Sequence, residues 1–302
     1  MTRQRGVSLA IVLTGVSLAV GAIVLKWRDD RAFLNPALQL SRFPAEDASV
    51  LSIDFATLRR GGLLAPSKAV LEPEYKRFVE GTGFDYRRDL DHALASFSGS
   101  GNYFIARGRF DWDRLRTYAR QQGGSCYREL CRMEGSTPQR HISFIALRPD
   151  TLALAVSSDD LAAARLTKTG EPITTPLPAA PVWLSLSGPA LRQRGTLPPG
   201  VRLMLSALTA ADRVVVSMAP ASGRVEAHID ATCRTQDDAG VLASQLRITA
   251  GLVREGIAKS TVPKDDEFAQ MLAAGTFDQT GNRVTGKWPV AKSLLESLMS
   301  GI

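Results

Sequence analysis

The chain has 302 residues, of which 44% are hydrophobic, so it can bury a sizeable core and is not a disordered polymer. Its formal net charge is +7, but no basic block is interleaved with aromatic residues, which argues against nucleic-acid binding. The first 31 residues carry five positive and two negative side chains, which leaves +4 for the remainder.

The N-terminal region contains an uncharged apolar run, VSLAIVLTGVSLAVGAIVL, at residues 7–25. At about 1.5 Å per residue, a helix of this length comes close to the roughly 30 Å hydrocarbon core of a bilayer. The run ends at Lys26 and Trp27 without a small-residue cleavage site, unlike a cleaved signal peptide. We therefore predict that residues 1–31 form a cytoplasmic tip and a single-pass transmembrane signal-anchor.

The cysteines indicate the orientation of this anchor, because basic residues are nearly balanced on its two flanks. Cys126 and Cys131 lie close together in CYRELC, where a disulfide would close a short hairpin in an oxidising compartment. The alternative is that both are buried thiols of a domain that faces the cytoplasm. We predict that the anchor lies in the inner (cytoplasmic) membrane with the bulk of the chain in the periplasm, and that Cys233 is a small core residue.

A juxtamembrane stalk, in which prolines limit regular structure, is predicted at residues 32–48, and a first α+β lobe at 49–170. Alternating apolar residues predict strands at the start of this lobe and near 90–97 and 102–109. Asp111 then stands where it can cap a helix. The CYRELC hairpin leads to two further strands, HISFIAL and TLALAVS, which an Arg-Pro-Asp turn connects.

A second lobe at residues 182–302 follows a connector at 171–181, in which repeated prolines exclude a helix. Its elements repeat the order of the first lobe: a strand, a Leu-Arg pair, two strands, a long helix at about 235–259, and a hairpin followed by a helix. We therefore predict an internal duplication. Each lobe is expected to be an antiparallel sheet backed by helices, in a split β-α-β arrangement.

Several segments together resemble a known group of sequences. The apolar anchor, the FPAEDASV start, the TGFD segment before DLDHAL and the block CRMEGSTPQRHISFIALRPDTLALAVS are similar to uncharacterised single-pass membrane-anchored bacterial proteins of the type found in Acidobacteria. The resemblance covers most of the chain. It implies no assigned activity, so no catalytic residue is carried over.

The sequence contains no local signature of catalysis or metal binding. The three histidines, His92, His141 and His228, lack metal-ligand spacing, and no Gly-x-Ser-x-Gly motif occurs. Residues 281–287 match the spacing of a phosphate-binding loop, but Trp288 replaces the Ser or Thr and the run is predicted to form a hairpin. We predict no catalytic residue, no bound metal and no cofactor.

Acidic pairs recur along the chain, and such pairs can divide acid and base roles or bind calcium. We interpret most of them as residues that cap helices or occupy their first turns. Asp89 and Asp91 fit this interpretation least. The other pairs are Asp111 with Asp113, Asp159 with Asp160, Asp237 with Asp238, and Asp265 with Asp266.

These observations lead to two functional hypotheses. The first is a membrane-tethered extracytoplasmic binding or interaction protein, non-enzymatic, with an envelope protein as its partner. The second is an envelope hydrolase whose site lies between the two lobes and is assembled from distant residues. Convergent carboxylate, His or Ser groups in a cleft between the lobes would favour the hydrolase, whereas an apolar groove would favour a partner.

Overall fold

The computed structural model describes residues 35–44, 47–64, 73–135, 137, 139–171, 176–192, 208–221, 224–259, 261, 263 and 266–291. The predicted anchor and nearly all of the predicted closing helix lie outside these residues. Of the helices that are described, none is long and apolar enough to span a bilayer.

The described residues form a mixed α+β fold, as predicted. Helices α1 to α9 span Pro36–Leu40, Phe55–Arg60, Pro73–Thr82, Tyr86–Asp89, Trp112–Gln121, Ala162–Arg165, Gly188–Arg192, Gln236–Ala258 and Glu267–Ala273. Strands β1 to β12 span Ser49–Ile53, Leu90–Ser98, Gly101–Gly108, Ser125–Tyr127, Leu130–Glu134, His141–Arg148, Thr151–Ser157, Val182–Ser187, Ala211–Ala221, Arg224–Cys233, Thr276–Thr280 and Arg283–Val290.

One antiparallel sheet contains all of these strands, in the order β11-β12-β10-β9-β8-β1-β2-β3-β7-β6-β5-β4. Strand β1 pairs with β2 on one side and with β8 on the other, so that Leu51 faces Ala95 and Leu184. The prediction of a separate sheet for each lobe is therefore wrong. An open edge on β1 would expose unpaired N–H and C=O groups, and pairing with β8 satisfies them.

The strand order is the same in both halves of the sheet. Outward from the centre, the first half runs β1-β2-β3-β7-β6 and the second runs β8-β9-β10-β12-β11. Strands β3 and β6 are parallel and enclose β7, and α5 lies in the connection between them. Strands β10 and β11 enclose β12 in the same way, and α8 lies in their connection. Each half thus contains a split β-α-β arrangement.

The core of the second half lies between its strands and α8. Leu242 and Leu246 of α8 are buried in it, as is the free thiol of Cys233, whereas Val253 and Ile257 are only partly buried. Strand β10 directs every second residue into this core, as the alternating pattern predicts: Val225, Ala227, Ile229 and Ala231.

A smaller core holds α5 against the first half of the sheet. It contains Leu115 and Ala119 from α5, Phe144 from β6 and Cys131 from β5. Asp111 caps the N-terminus of α5, as predicted. The helix therefore fixes the base of the β4–β5 hairpin through Cys131.

A separate small unit contains the described residues of 35–44 and 168–176. Its helix α1 lies within the predicted stalk, where prolines were expected to limit regular structure. Pro36 instead occupies the first helical position, because the N–H that proline lacks would have no helical partner there. The side chain of Asn35 caps this helix.

Candidate functional site

A cleft of about 720 Å³ lies between α9 and the ends of β9, β10 and β12. The loop after α2 contributes Gly61 and Leu63, so both halves of the sheet supply lining residues. Of the described lining residues, one has a titratable side chain, Glu267. The others are Pro220, Val225, Gln270, Met271, Ala274, Pro289, Val290 and Ala291.

Strand ends and α9 fix the walls of this cleft. Val290 belongs to the inward-facing set of β12, and Pro289 lies beyond the last residue of β12 that pairs with β11, where its missing N–H breaks no bond of that ladder. Asp266 caps α9 by accepting a hydrogen bond from the N–H of Ala269 at 2.9 Å. At the other end of α9, Arg254 donates two hydrogen bonds to the carbonyl of Ala273, at 2.7 and 3.2 Å. The guanidinium thus satisfies a helix-terminal carbonyl and holds α9 on α8.

Gly275, which follows the lining residue Ala274, makes a close contact with the second-half core. A Cβ at this position would stand 2.4 Å from Nε1 of Trp288. Trp288 is 3% exposed and packs edge-on against Phe277, with ring centroids 5.2 Å apart. Among the residues that the structure describes, its Nε1 has no hydrogen-bond partner. The position of this cleft wall therefore depends on a residue without a side chain.

His92, one of the three predicted histidines, lies in the centre of the sheet and outside the cleft lining. Its Nε2 is 3.2 Å from the hydroxyl of Ser52, which is 3% exposed. Burial lowers the pKa of His92, the nearby carboxylate of Asp54 opposes this shift, and Arg107 adds to it. The Asp54 carboxylate already accepts hydrogen bonds from the N–H and hydroxyl of Thr57 as the cap of α2. The three groups therefore do not form an accessible nucleophile, base and orienting acid.

The other two histidines lie on β10 and β6 and are not among the described residues that line the cleft. The ring of His228 on β10 is 2.8 Å from the carboxylate of Glu226. His141 begins β6 and pairs with Glu134 in register. Within the described ranges, no group of three or more His, Cys, Asp or Glu side chains is arranged to hold a metal ion.

Asp89, which the sequence left poorly explained, is a buried ion-pair partner. Its carboxylate accepts hydrogen bonds from Arg88 at 2.7 Å and from Arg109 at 3.0 Å. Burial acts to raise the pKa of Asp89, but hydrogen bonds from Arg88 and from the N–H of Asp85 outweigh it, and the pKa is lowered. Asp89 thus holds α4 and the end of β3 together.

Asp91 is the extra residue of a β-bulge in β2, between Leu90 and His92. The bulge turns its side chain to Arg59, which donates a hydrogen bond to the carboxylate at 2.8 Å. Arg59 also donates to the carbonyls of Arg87, Arg88 and Leu90. Helix capping or a position in the first helical turn is confirmed for Asp111, Asp113, Asp237, Asp238 and Asp266.

Cys126 and Cys131 form the predicted disulfide. They face each other directly in the β4–β5 pairing, and Cys131 is fully buried. The bond closes a hairpin at the outer edge of the sheet and lies far along the strand order from the cleft.

Comparison with known proteins gives a likeness in structure without one in sequence. No family model matches the chain, and no curated protein matches it. The structure of crystal form I of TP0453 is 11% identical with a TM-score of 0.47, covering 88% of this chain and 97% of that one. For crystal form III of TP0453, the identity is 10%, the TM-score is 0.49, and the coverage is 88% and 98%.

No sequence motif marks the residues that line the cleft. They come from segments as distant as Leu63 and Val290, and apolar residues such as Met271 have the spacing of ordinary core residues. The signal in the sequence is weak: the prolines at strand ends, Pro220 and Pro289, indicate positions where a strand has a partner on one side only. Only the folded sheet brings these segments together.

Proposed function

We propose that this protein is a non-enzymatic binding protein that holds an apolar segment of an envelope protein in the cleft beside α9. The composition of the lining carries the proposal, since it is apolar apart from Glu267 and Gln270. Burial of apolar surface contributes about 25 cal/mol per Å², so such a lining favours an apolar partner. Glu267 and Gln270 supply the few polar contacts that orient it. The lining offers no Ser, His or Cys among its described residues, and it gives the hydrolase hypothesis no support.

We further propose that this domain is periplasmic and is tethered to the inner membrane. The Cys126–Cys131 disulfide supports the compartment, because such bonds persist where the surroundings are oxidising. The tether rests on the length and apolar character of residues 7–25.

A third proposal is that the two halves of the sheet arose by duplication of one α+β unit. An offset of 133 relates Leu51 to Leu184 and also relates Leu58-Arg59 to Leu191-Arg192. Leu51 and Leu184 face each other in the β1–β8 pairing. Equivalent residues therefore meet at the centre of the sheet, as they do on a twofold axis.

Matching irregularities support the duplication further. Asp212, like Asp91 in β2, is the extra residue of a β-bulge near the start of the second strand of its half. Arg59 donates to Asp91 and to nearby carbonyls. In the second half, the guanidinium of Arg192 and the carbonyl of Asp212 both lie 3.1 Å from the point where a Cβ on Gly188 would stand. The arginine after the first strand thus lies near the corresponding bulge in both halves.

Photocrosslinking from the cleft tests the binding function. Benzoylphenylalanine replaces Gln270, an exposed lining residue, in the full-length chain, and cells of the native host are irradiated. We expect adducts with an envelope protein, because that position faces the proposed partner. Ala274→Trp fills the cleft and should remove most of the adducts.

The matched control carries the same photoreactive residue at Ser244, an exposed position of α8 that is not part of the cleft lining. Equal adducts from Gln270 and Ser244, or adducts that survive Ala274→Trp, would refute the cleft as the binding site.

A further inference from the structure

The β4–β5 hairpin ends in a strained turn. Arg128 and Glu129 connect the paired residues Tyr127 and Leu130, and Arg128 has a φ of 53°. It is the one non-glycine residue of the described chain with a positive φ. Two-residue hairpin turns favour Gly, Asn or Asp at such positions, and Arg there is strained. This uncommon backbone conformation points to a use for the Arg128 side chain that offsets the strain.

The two side chains at the tip form one exposed surface. Tyr127 is 76% exposed, more than any other exposed large hydrophobic residue of the described chain. The guanidinium of Arg128 lies over the Tyr127 ring, 5.5 Å from its centroid. Tyr and Arg are the side chains that, with Trp, contribute most of the binding energy in protein interfaces. Their stacking here produces an apolar ring and a planar cation on the same projection.

The tip is held rigid from below. Cys126 and Cys131 are the next facing pair after Tyr127 and Leu130, and their disulfide closes the hairpin directly beneath the turn. Cys131 is buried under α5, and the carboxylate of Glu129 lies 3.8 Å from the guanidinium of Arg116 on that helix. A surface fixed in this way loses little conformational entropy when it binds.

The charges around the tip favour an acidic partner. Arg116 accompanies the carboxylate of Glu129, and Arg132 forms an ion pair with Asp160 at 2.7 Å. Within the described part of the chain, Arg128 has no ion-pair partner. Glu129, the next residue, lies near Arg116, so a carboxylate of the partner would find an Arg128 guanidinium to which no acid of the described chain is bound.

From these contacts, we propose that Tyr127 and Arg128 form a docking site for a protein whose surface offers a recess for an aromatic ring beside carboxylate groups. The phenol ring of Tyr127 enters the recess, and Arg128 binds the carboxylates. This docking site is separate from the cleft beside α9. A test of one therefore does not decide the other.

Selection from a library of random peptides tests this site. The probe is a phage-displayed peptide library, and the target is the oxidised full-length chain in a mild detergent. We expect selected peptides to be rich in Asp and Glu together with apolar residues. Tyr127→Ala and Arg128→Asn should each weaken their binding by about tenfold or more, as at interface hot spots.

Arg128→Asn separates docking from a structural role. Asn accepts the left-handed conformation, so this variant should unfold at the same or a higher denaturant concentration while it loses peptide binding. The control Ile248→Ala removes a side chain that is 58% exposed on α8 and should leave binding unchanged. Peptides that bind wild type and both tip variants equally would overturn the proposal, as would a selection without enrichment.

Binding of the hairpin tip to a lipid surface, rather than to a protein, is the alternative that a second experiment tests. Benzoylphenylalanine at position 127 is irradiated in the full-length chain, reconstituted in vesicles of equal amounts of phosphatidylglycerol and phosphatidylcholine. The control carries it at Leu161, which is 48% exposed. Lipid adducts from position 127 above those from position 161 would overturn the protein partner; equal, low yields are expected.

Discussion

His92 shows how one residue can make the stability of this fold depend on pH. The neutral imidazole lies beside Ser52 in the centre of the sheet, and its pKa is lowered chiefly by burial. The unfolded chain therefore takes up a proton at a higher pH than the folded chain does. The free energy of unfolding should fall as the pH drops below about 6.5 towards the lowered value.

The substitution His92→Gln should flatten this dependence. It removes the titrating group but keeps a polar side chain near Ser52, so some stability is lost at every pH while the slope below about pH 6.5 decreases. Urea unfolding at a series of pH values measures both quantities. A slope that persists in the variant would show that a different group causes the dependence.

A side chain at Gly275 is predicted to destabilise the fold. In Gly275→Ala, the new Cβ would stand 2.4 Å from Nε1 of Trp288 and 3.1 Å from the carbonyl oxygen of Leu272. We expect a loss of about 1–3 kcal/mol in the free energy of unfolding, because a rigid indole and a backbone atom must move.

The control is Gly251→Ala in the interior of α8, where nothing lies within 4 Å of the added atom. Alanine suits a helix interior better than glycine, so this change should stabilise the protein by about 0.5–1 kcal/mol. Denaturant unfolding compares the two variants, and equal effects would contradict the close contact at Gly275.

At the scale of the elements, α8 carries apolar side chains on two faces. Leu242 and Leu246 point into the second-half core, whereas Val241, Ile248 and Leu252 are 55%, 58% and 63% exposed. A buried leucine contributes packing that an exposed leucine on the same helix does not, so the two faces should differ strongly in their effect on stability.

We predict that Leu242→Ala lowers the free energy of unfolding by about 2–5 kcal/mol, because Leu242 is fully buried. Leu252→Ala should change it by about 0.5 kcal/mol or less. Chemical denaturation of both variants measures the difference. A large loss for Leu252→Ala would show that its exposed face packs against something in solution.

Elements with a local pattern could be predicted from the sequence. The alternation of Val225, Ala227 and Ile229 defined β10, the capping position of Asp111 defined the start of α5, and the spacing of Cys126 and Cys131 defined a bridged hairpin. The positive φ of Arg128 could not be predicted, since an arginine gives no sign of that conformation. A cleft between the halves was considered, but the residues that line it could not be predicted, because they come from segments that only the sheet brings together.

For the molecule as a whole, the decisive contact is the pairing of β1 with β8. Leu51 and Leu184 are far apart in the chain, and no local pattern specifies which two strand edges will pair. The sequence therefore predicted the order of elements within each half but not their fusion into one sheet. We expect that fusion to make the two halves a single cooperative unit.

Unfolding should accordingly be one transition in both halves. We expect the amides of β6 and β7 and those of β10 and β12 to lose hydrogen-exchange protection at the same denaturant concentration. Leu184→Pro removes a backbone N–H from β8, which lies between β1 and β9, and should separate the transitions or abolish folding of the second half. Separate transitions in the wild-type chain would contradict this view.

The pairing of Leu51 with Leu184, which the proposed duplication makes equivalent residues, has a consequence for neighbouring molecules. If β1 and β8 are equivalent strands, then the edges that pair at the centre of the sheet are self-complementary. A chain that folds next to a second chain can complete β1 with the β8 of either one, and the two products differ little in their contacts. We therefore expect domain swapping to be the characteristic misassembly of this fold and to increase with the local concentration of folding chains.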